Sequence, residues 1–314
     1  MDNDEAEVRQ GCEPTYKKVR GFHPLQLTWG PFVIDALFRG GKKHCNAEDG
    51  AKNMVEETVR FVRKHVGEEV PIIVRMDSGF FDQKLFGAFE ALGIGYVCTG
   101  KLMADITSRA EATGQSWQTY DNGHQLWEYF EFGDRRRAWS AEEWRRAFYT
   151  RPHYEDEQRP LEFARPDTVI YTNLGRGGPI DELLRAAGHE TWIEPTRIIE
   201  VHHGRGRDEL VHRAIKDFRA EELPFKKFRA NAAFYYTVLV AFFLFEAFKR
   251  DVTDEVVPIT AYATRVRRQA IDFAAKVVRT ARQSVLKVTQ AVWDRLDIEE
   301  LWNRTADPPR FAWV

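Results

Sequence analysis

The chain is short of cysteine, nearly free of charge surplus, and without a clean apolar run long enough to cross a bilayer. Each shortage removes a class of protein. Cys12, Cys45 and Cys98 are odd in number and lack CxxC spacing, which argues against a disulfide framework and a cysteine zinc site; they read as reduced thiols of a cytoplasmic protein. The 46 Lys and Arg stand against 48 Asp and Glu, a net charge of −2, which argues against a uniformly basic nucleic-acid coat but permits local patches. The most apolar stretch, AAFYYTVLVAFFLFEAF (232–248), contains tyrosines, a threonine and a glutamate. It reads as a buried core helix rather than a membrane span. The N-terminus, MDNDEAEVRQ, is acidic and polar, unlike a signal peptide. No internal repeat and no low-complexity segment is present.

What is there suffices for a large core: 314 residues, 43% hydrophobic and 13% aromatic. Two β-like runs, Pro24–Trp29 and Phe32–Phe38, flank the turn signal Gly30-Pro31, which predicts a hairpin. Met54, Val55, Val59 and Val62 recur at helical spacing between Ala47 and Val66, with Gly67 as a stop. Val70–Met76 is a short apolar run of the kind expected for a strand buried on both faces. It delivers Asp77-Ser78-Gly79 to its C-terminal end. A helix over Lys84–Leu92 and a strand over Ile94–Thr99 follow. With a possible first strand near residue 2, this is the order of an α/β, RNase H-like mixed sheet with flanking helices.

Between 103 and 165 the character changes. Trp117, Trp127, Trp139 and Trp144 join the arginines 135–137 and 145–146. The alternation in LWEYFEF (126–132) predicts strands, and SAEEWRRAF (140–148) reads as a short helix capped by Ser140. The segment is expected to be a β-rich insertion before the helix that carries Glu209. Thr168–Leu174 then reads as a strand and Pro179–Ala187 as a helix with proline in its first turn. In the tail, Lys276–Val288 fits either a hairpin or a basic helix. The expected division is a catalytic core in two parts (1–102 and 166–252), the insertion (103–165) and a tail region (253–314).

The stretch VHHGRGRDELVHRAIKDF (201–218) carries the densest chemistry. On a helix turning about 100° per residue, His202, Arg205, Glu209 and Lys216 share one polar stripe. Leu210, Val211, Ala214, Ile215 and Phe218 fall on the opposite, core-facing side. Gly204 and Gly206 make a regular helix unfavourable before about Arg207, so His202 and Arg205 are expected on an entering turn. Glu209, Asp77 at a strand end and an acid in the first residues are three carboxylates on separate elements of one domain. Such a set can hold two divalent ions for phosphodiester chemistry, and oxygen ligands select Mg²⁺ or Mn²⁺ over zinc.

The motifs resemble those of the DDE-type transposases of bacterial insertion sequences, in the group marked by a Tyr-x2-Arg-x3-Glu-x6-Lys signature. Here that signature reads His202-x2-Arg205-x3-Glu209-x6-Lys216, with histidine in place of tyrosine. YKKVRGFHPLQ (16–26), RMDSGFFDQKLF (75–86), TNL (172–174) and LPFKKFRANAAFY (223–235) extend the resemblance over nearly the whole chain. It implies Asp4 (with Asp2 as the alternative), Asp77 and Glu209 as the catalytic, metal-binding carboxylates. It implies His202, Arg205 and Lys216 as DNA phosphate contacts, together with the insertion's arginines. Either Trp127 or Trp139 could stack on a displaced base. The expected partner is double-stranded DNA, the inverted-repeat ends and a target, bound by a homodimer. Relatives carry a further N-terminal end-binding segment, so Asp4 near residue 1 points to a truncated gene or a start placed downstream. The alternatives to a transposase are an RNase H-like nuclease without strand transfer and a DNA-binding remnant.

Overall fold

The computed structural model describes residues 9–15, 18–112, 116–136, 139, 144–153, 167–204, 206–218, 223–254, 256–280 and 282–306. In chain order, a minimal pair β1 (Glu13–Pro14) and β2 (Arg20–Gly21) precedes the hairpin β3 (Leu25–Trp29) and β4 (Phe32–Leu37). Helix α1 (Gly50–His65), β5 (Ile73–Met76), α2 (Gln83–Ala91), β6 (Gly95–Thr99) and α3 (Ala104–Glu111) follow. Next come β7 (Gln118–Asp121), β8 (Leu126–Asp134), β9 (Arg145–Pro152) and β10 (Thr168–Thr172). Helices α4 (Pro179–Ala186), α5 (Pro195–His203), α6 (Gly206–Lys216) and the long α7 (Phe228–Phe248) complete the middle. The C-terminal part holds α8 (Ala263–Val266), β11 (Ala275–Thr280), β12 (Gln283–Val288), α9 (Gln290–Leu296) and α10 (Ile298–Ala306).

The chain forms two compact units: His44–Arg207, and Met1–Lys43 with Asp208–Val314. The first is built on a six-stranded sheet of order β5-β6-β10-β9-β8-β7, with β5 and β6 parallel and every other neighbour antiparallel. Side chains alternate across it as the pleat requires. Val97, Ile170, Phe148 and Tyr129 meet Ile180 and Leu184 of α4 and Ile198 and Ile199 of α5 on one face. Val169, Tyr171, Ala147, Tyr149 and Phe130 meet Ile106 and Ala110 of α3 on the other. Phe86 of α2 stacks on Tyr96, ring centroids 4.5 Å apart and planes at 2°. The result is the RNase H-like class, a mixed sheet with helices on both faces.

Three expectations need revision. Ile73, Val74 and Arg75 of β5 are half-buried, and among the described residues β5 has β6 on one side and no strand paired on the other. Arg145–Phe148 is strand, not helix: β9 is sandwiched between β8 and β10, with residues 145–150 all buried. Ladder pairing on both edges overrides a modest helix preference there; residues 140–143 of that expected helix lie outside the described residues. The segment expected as a β-rich insertion holds β7, β8 and β9, which pair within the main sheet ahead of α6. Among the described residues the hairpin β3–β4 forms a two-stranded sheet of its own; the first strand expected near residue 2 lies outside the described residues.

In the other unit, β3–β4 packs on α7. Gln26 Nε2 donates to the Tyr235 hydroxyl at 2.6 Å, and the Tyr236 hydroxyl accepts from Phe38 N at 3.1 Å. Phe22, Phe38, Leu223 and Tyr235 are buried together there. Among the described residues, helix α7 buries Asn231, Tyr235, Val238, Phe242 and Glu246 and leaves Val240 and Leu244 exposed. By length and composition the helix could cross a membrane, although a third of its apolar window is buried in the fold. The tail segment 276–288 is a hairpin.

Candidate active site

The parallel pair β5–β6 places the first candidate carboxylate. Met76 is opposite Cys98, so Asp77 and Thr99 emerge side by side at the C-terminal edge, where open α/β sheets bind ligands. Asp77 is half-buried with an extended backbone (φ −87°, ψ 178°), and its Oδ1 accepts from Gly79 N at 2.9 Å. That bond caps the single turn Ser78–Phe80 and aims the carboxylate. Gly79 is required by close approach: a Cβ there would lie 2.8 Å from Cys45 Sγ and 3.0 Å from Asp77 Oδ1. Beneath, the Cys98 thiol donates to the Asp77 carbonyl at 3.4 Å. Burial, and then the Asp77 charge, pushes that thiol's pKa well up, so it stays protonated and serves packing, not nucleophilic chemistry.

The C-terminal end of α5 is tied to the same edge. His202 is buried, with Nε2 2.9 Å from Thr99 Oγ1. Arg75, from β5, donates through Nη1 to the Val201 carbonyl at 2.7 Å. Gly204 makes room for this: its Cβ would stand 2.9 Å from Arg75 Nη1. Neighbouring His203 packs against Trp127, ring centroids 4.2 Å apart. Burial pushes the His203 imidazole down to about 4, so it is neutral near pH 7. Sequence pattern does not single out Arg75, Gly79 or Thr99 as site residues; the one readable signal is an arginine inside the apolar run VPIIVRM.

Glu209 and Lys216 occupy one exposed face of α6, seven residues apart. The opposite face packs Val211 and Ile215 against Val238 and Phe242 of α7. Leu210, expected on the core side, is 50% exposed. The polar stripe is therefore divided. His202 ends α5 rather than riding an entering turn, and Gly204 and Gly206 mark the break before α6. Asp77 and His202 share a sheet edge in one unit, while Glu209 and Lys216 share a helix face in the other. Asp4, Asp2 and Arg205 lie outside the described residues.

Three of the insertion's arginines, Arg136, Arg145 and Arg146, are engaged inside the fold, whereas Arg135 is exposed and Arg137 lies outside the described residues. Arg145 is 2% exposed and pairs with Glu90 and the Tyr96 hydroxyl. Arg146 grips Glu131 with two bonds of 2.7 and 2.9 Å and donates to the carbonyls of Leu174 and Ile193. Arg136 is paired with Asp134. Each of these guanidiniums has a carboxylate partner within the fold, where burying an unpaired one would be costly, while Arg145 Nε is left buried without a hydrogen-bond partner. Trp139 likewise packs on Phe81 and Tyr171.

A comparison with family models matches residues 8–305 to transposase DDE domain group 1. The chain belongs to this transposase family. No curated protein matches it. The DDE transposases generally use divalent metal ions, and Asp77 and Glu209 offer oxygen donors of the right hardness. Among the described residues, no group of three or more His, Cys, Asp or Glu is gathered as metal ligands.

Proposed function

We propose that this transposase cuts double-stranded DNA at transposon ends and joins the freed 3′-hydroxyl to a target strand. The observation that carries the reading is the family match over residues 8–305, joined to Asp77 standing at the C-terminal edge of a parallel strand pair. Asp77 and Glu209, with Asp4, would hold two Mg²⁺ or Mn²⁺ ions. When bound, such ions supply positive charge to the attacked phosphodiester and lower the pKa of an attacking water. The chain's own part is orientation. Gly79 N–H holds one Asp77 oxygen, and the lack of a side chain at Gly79 leaves room for the Cys45 thiol beside that turn. Arg205 and Lys216 would grip phosphates beside the cut. His202, buried against Thr99, serves as a positioning residue for the end of α5. A homodimer on DNA would present two such sites to two transposon ends.

The test is incubation of the protein with Mg²⁺ and DNA carrying the inverted repeats that flank its gene. Cleavage at the repeat boundary with joined products is expected, and Asp77→Asn removes both. Nicking without joining would make it an RNase H-like nuclease, and binding without any cut a DNA-binding remnant.

A further inference from the structure

Arg145 and Arg146 are buried in the core, and one element outside the main sheet carries a cluster of exposed cations. The antiparallel ribbon β11–β12 pairs Ala275–Thr280 with Gln283–Val288 as a separate two-stranded sheet. From Phe273 to Trp293 the chain holds Lys276, Arg279, Arg282 and Lys287 and no acid, in a protein of net charge −2. All four cations are exposed. Lys276 is directly opposite Lys287 in the register, an arrangement that is unfavourable in a ribbon facing only water. Arg282 takes the left-handed region at the connection (φ +68°), a place where glycine or asparagine would sit with less strain. Val277 and Leu286, opposite each other on the other face, are 66% and 60% exposed. A bare two-stranded ribbon is marginal in water without something to pack on.

We propose that β11–β12 is a DNA-docking element, a basic ribbon that enters the major groove of duplex DNA and contacts phosphates through Lys276, Arg279, Arg282 and Lys287. The major groove admits a two-stranded ribbon, and six residues per strand span about 20 Å. Charge selects the occupant: an acid-free cationic ribbon complements the phosphate backbone, while its exposed valine and leucine can meet thymine methyl groups. The inference rests on the reading of the chain as a DNA-acting transposase but does not involve the carboxylates.

The experiment is fluorescence anisotropy of the full-length protein with a labelled duplex over a series of salt concentrations, without divalent ions. Replacing all four cations (K276Q, R279Q, R282Q, K287Q) is expected to weaken binding about tenfold or more. It should also flatten the slope of log affinity against log salt by about one for each phosphate no longer neutralised. The charge-preserving pair K276R, K287R is expected to keep the wild-type slope. The single change K287Q, too mild to disturb an exposed strand, is expected to flatten it by about one. An unchanged slope in the fourfold and single variants overturns the ribbon's role, as does a loss of binding in the arginine pair equal to that of the fourfold variant. Unchanged DNA binding with a shift in oligomeric state would make the ribbon a contact between copies and overturns it too. If the wild type binds no duplex at any salt, the proposed DNA-cutting and joining function itself fails, a distinct result.

Discussion

Asp77 is held by two features a substitution can separate, its charge and its aim. Asp77→Asn keeps an oxygen for the Gly79 N–H and should leave the melting temperature within a few degrees, while DNA cleavage falls by about a hundredfold or more in an end-cleavage assay. Gly79→Ala keeps the charge and disturbs the aim, since the new methyl would press on Cys45 Sγ at 2.8 Å and on the carboxylate at 3.0 Å. It should cost activity while circular dichroism still reports a folded chain. His203 gives a prediction in pH. Its folded pKa, pushed down to about 4 by burial, lies below the ordinary value of 6.5. The unfolded chain therefore takes up the proton first on acidification. The stability associated with neutral His203 is complete above about pH 6.5 and is lost as pH falls towards 4. Because the ring is only half-buried, the loss should be about 1–2 kcal/mol rather than the full linkage value. Urea unfolding at pH 7 and pH 4.5 measures it, and His203→Phe should remove that part of the slope.

At the scale of elements, the end of α7 depends on one buried pair. Lys249 Nζ lies 2.8 Å from Glu246 Oε1 and also donates to the carbonyls of Ile259 at 2.8 Å and Ala261 at 3.0 Å. The pair is almost fully buried, and desolvation raises the Glu246 pKa against the opposing pull of Lys249. Lys249→Met strands the carboxylate and two carbonyls, and should cost about 3–5 kcal/mol in urea unfolding. Adding Glu246→Gln should recover part of that loss. The elements also show where local pattern suffices. Alternation predicts β8, and a turn signal between two β-like runs predicts β3–β4, because each is set by neighbours within a few residues. Arg145–Phe148 reads as helix by local pattern because nothing nearby announces that Glu90, from α2, will pair with Arg145 inside a sheet. For 276–288, period alone leaves helix and hairpin open. The cross-strand register is what decides between them.

At the scale of the molecule, every strand of the main sheet among the described residues and both of its side-chain clusters come from one stretch, His44–Arg207. That stretch, expressed alone, should fold with a cooperative melt and dispersed amide resonances; a fragment without either would show that its core needs the rest of the chain. The sequence by itself determined the family, the α/β class, Asp77 at a strand end and the glycine break between His202 and Glu209. These depend on spacing and local backbone freedom, which are written along the chain. Tertiary structure alone decided that Arg145 and Arg146 are core residues, that His202 bonds Thr99, that α7 leaves Val240 and Leu244 exposed, and that the basic segment 275–288 is a ribbon. Each of those is a contact or a pairing between distant residues, and burial, not residue type, settles whether a charge is a structural partner or a surface waiting for a phosphate.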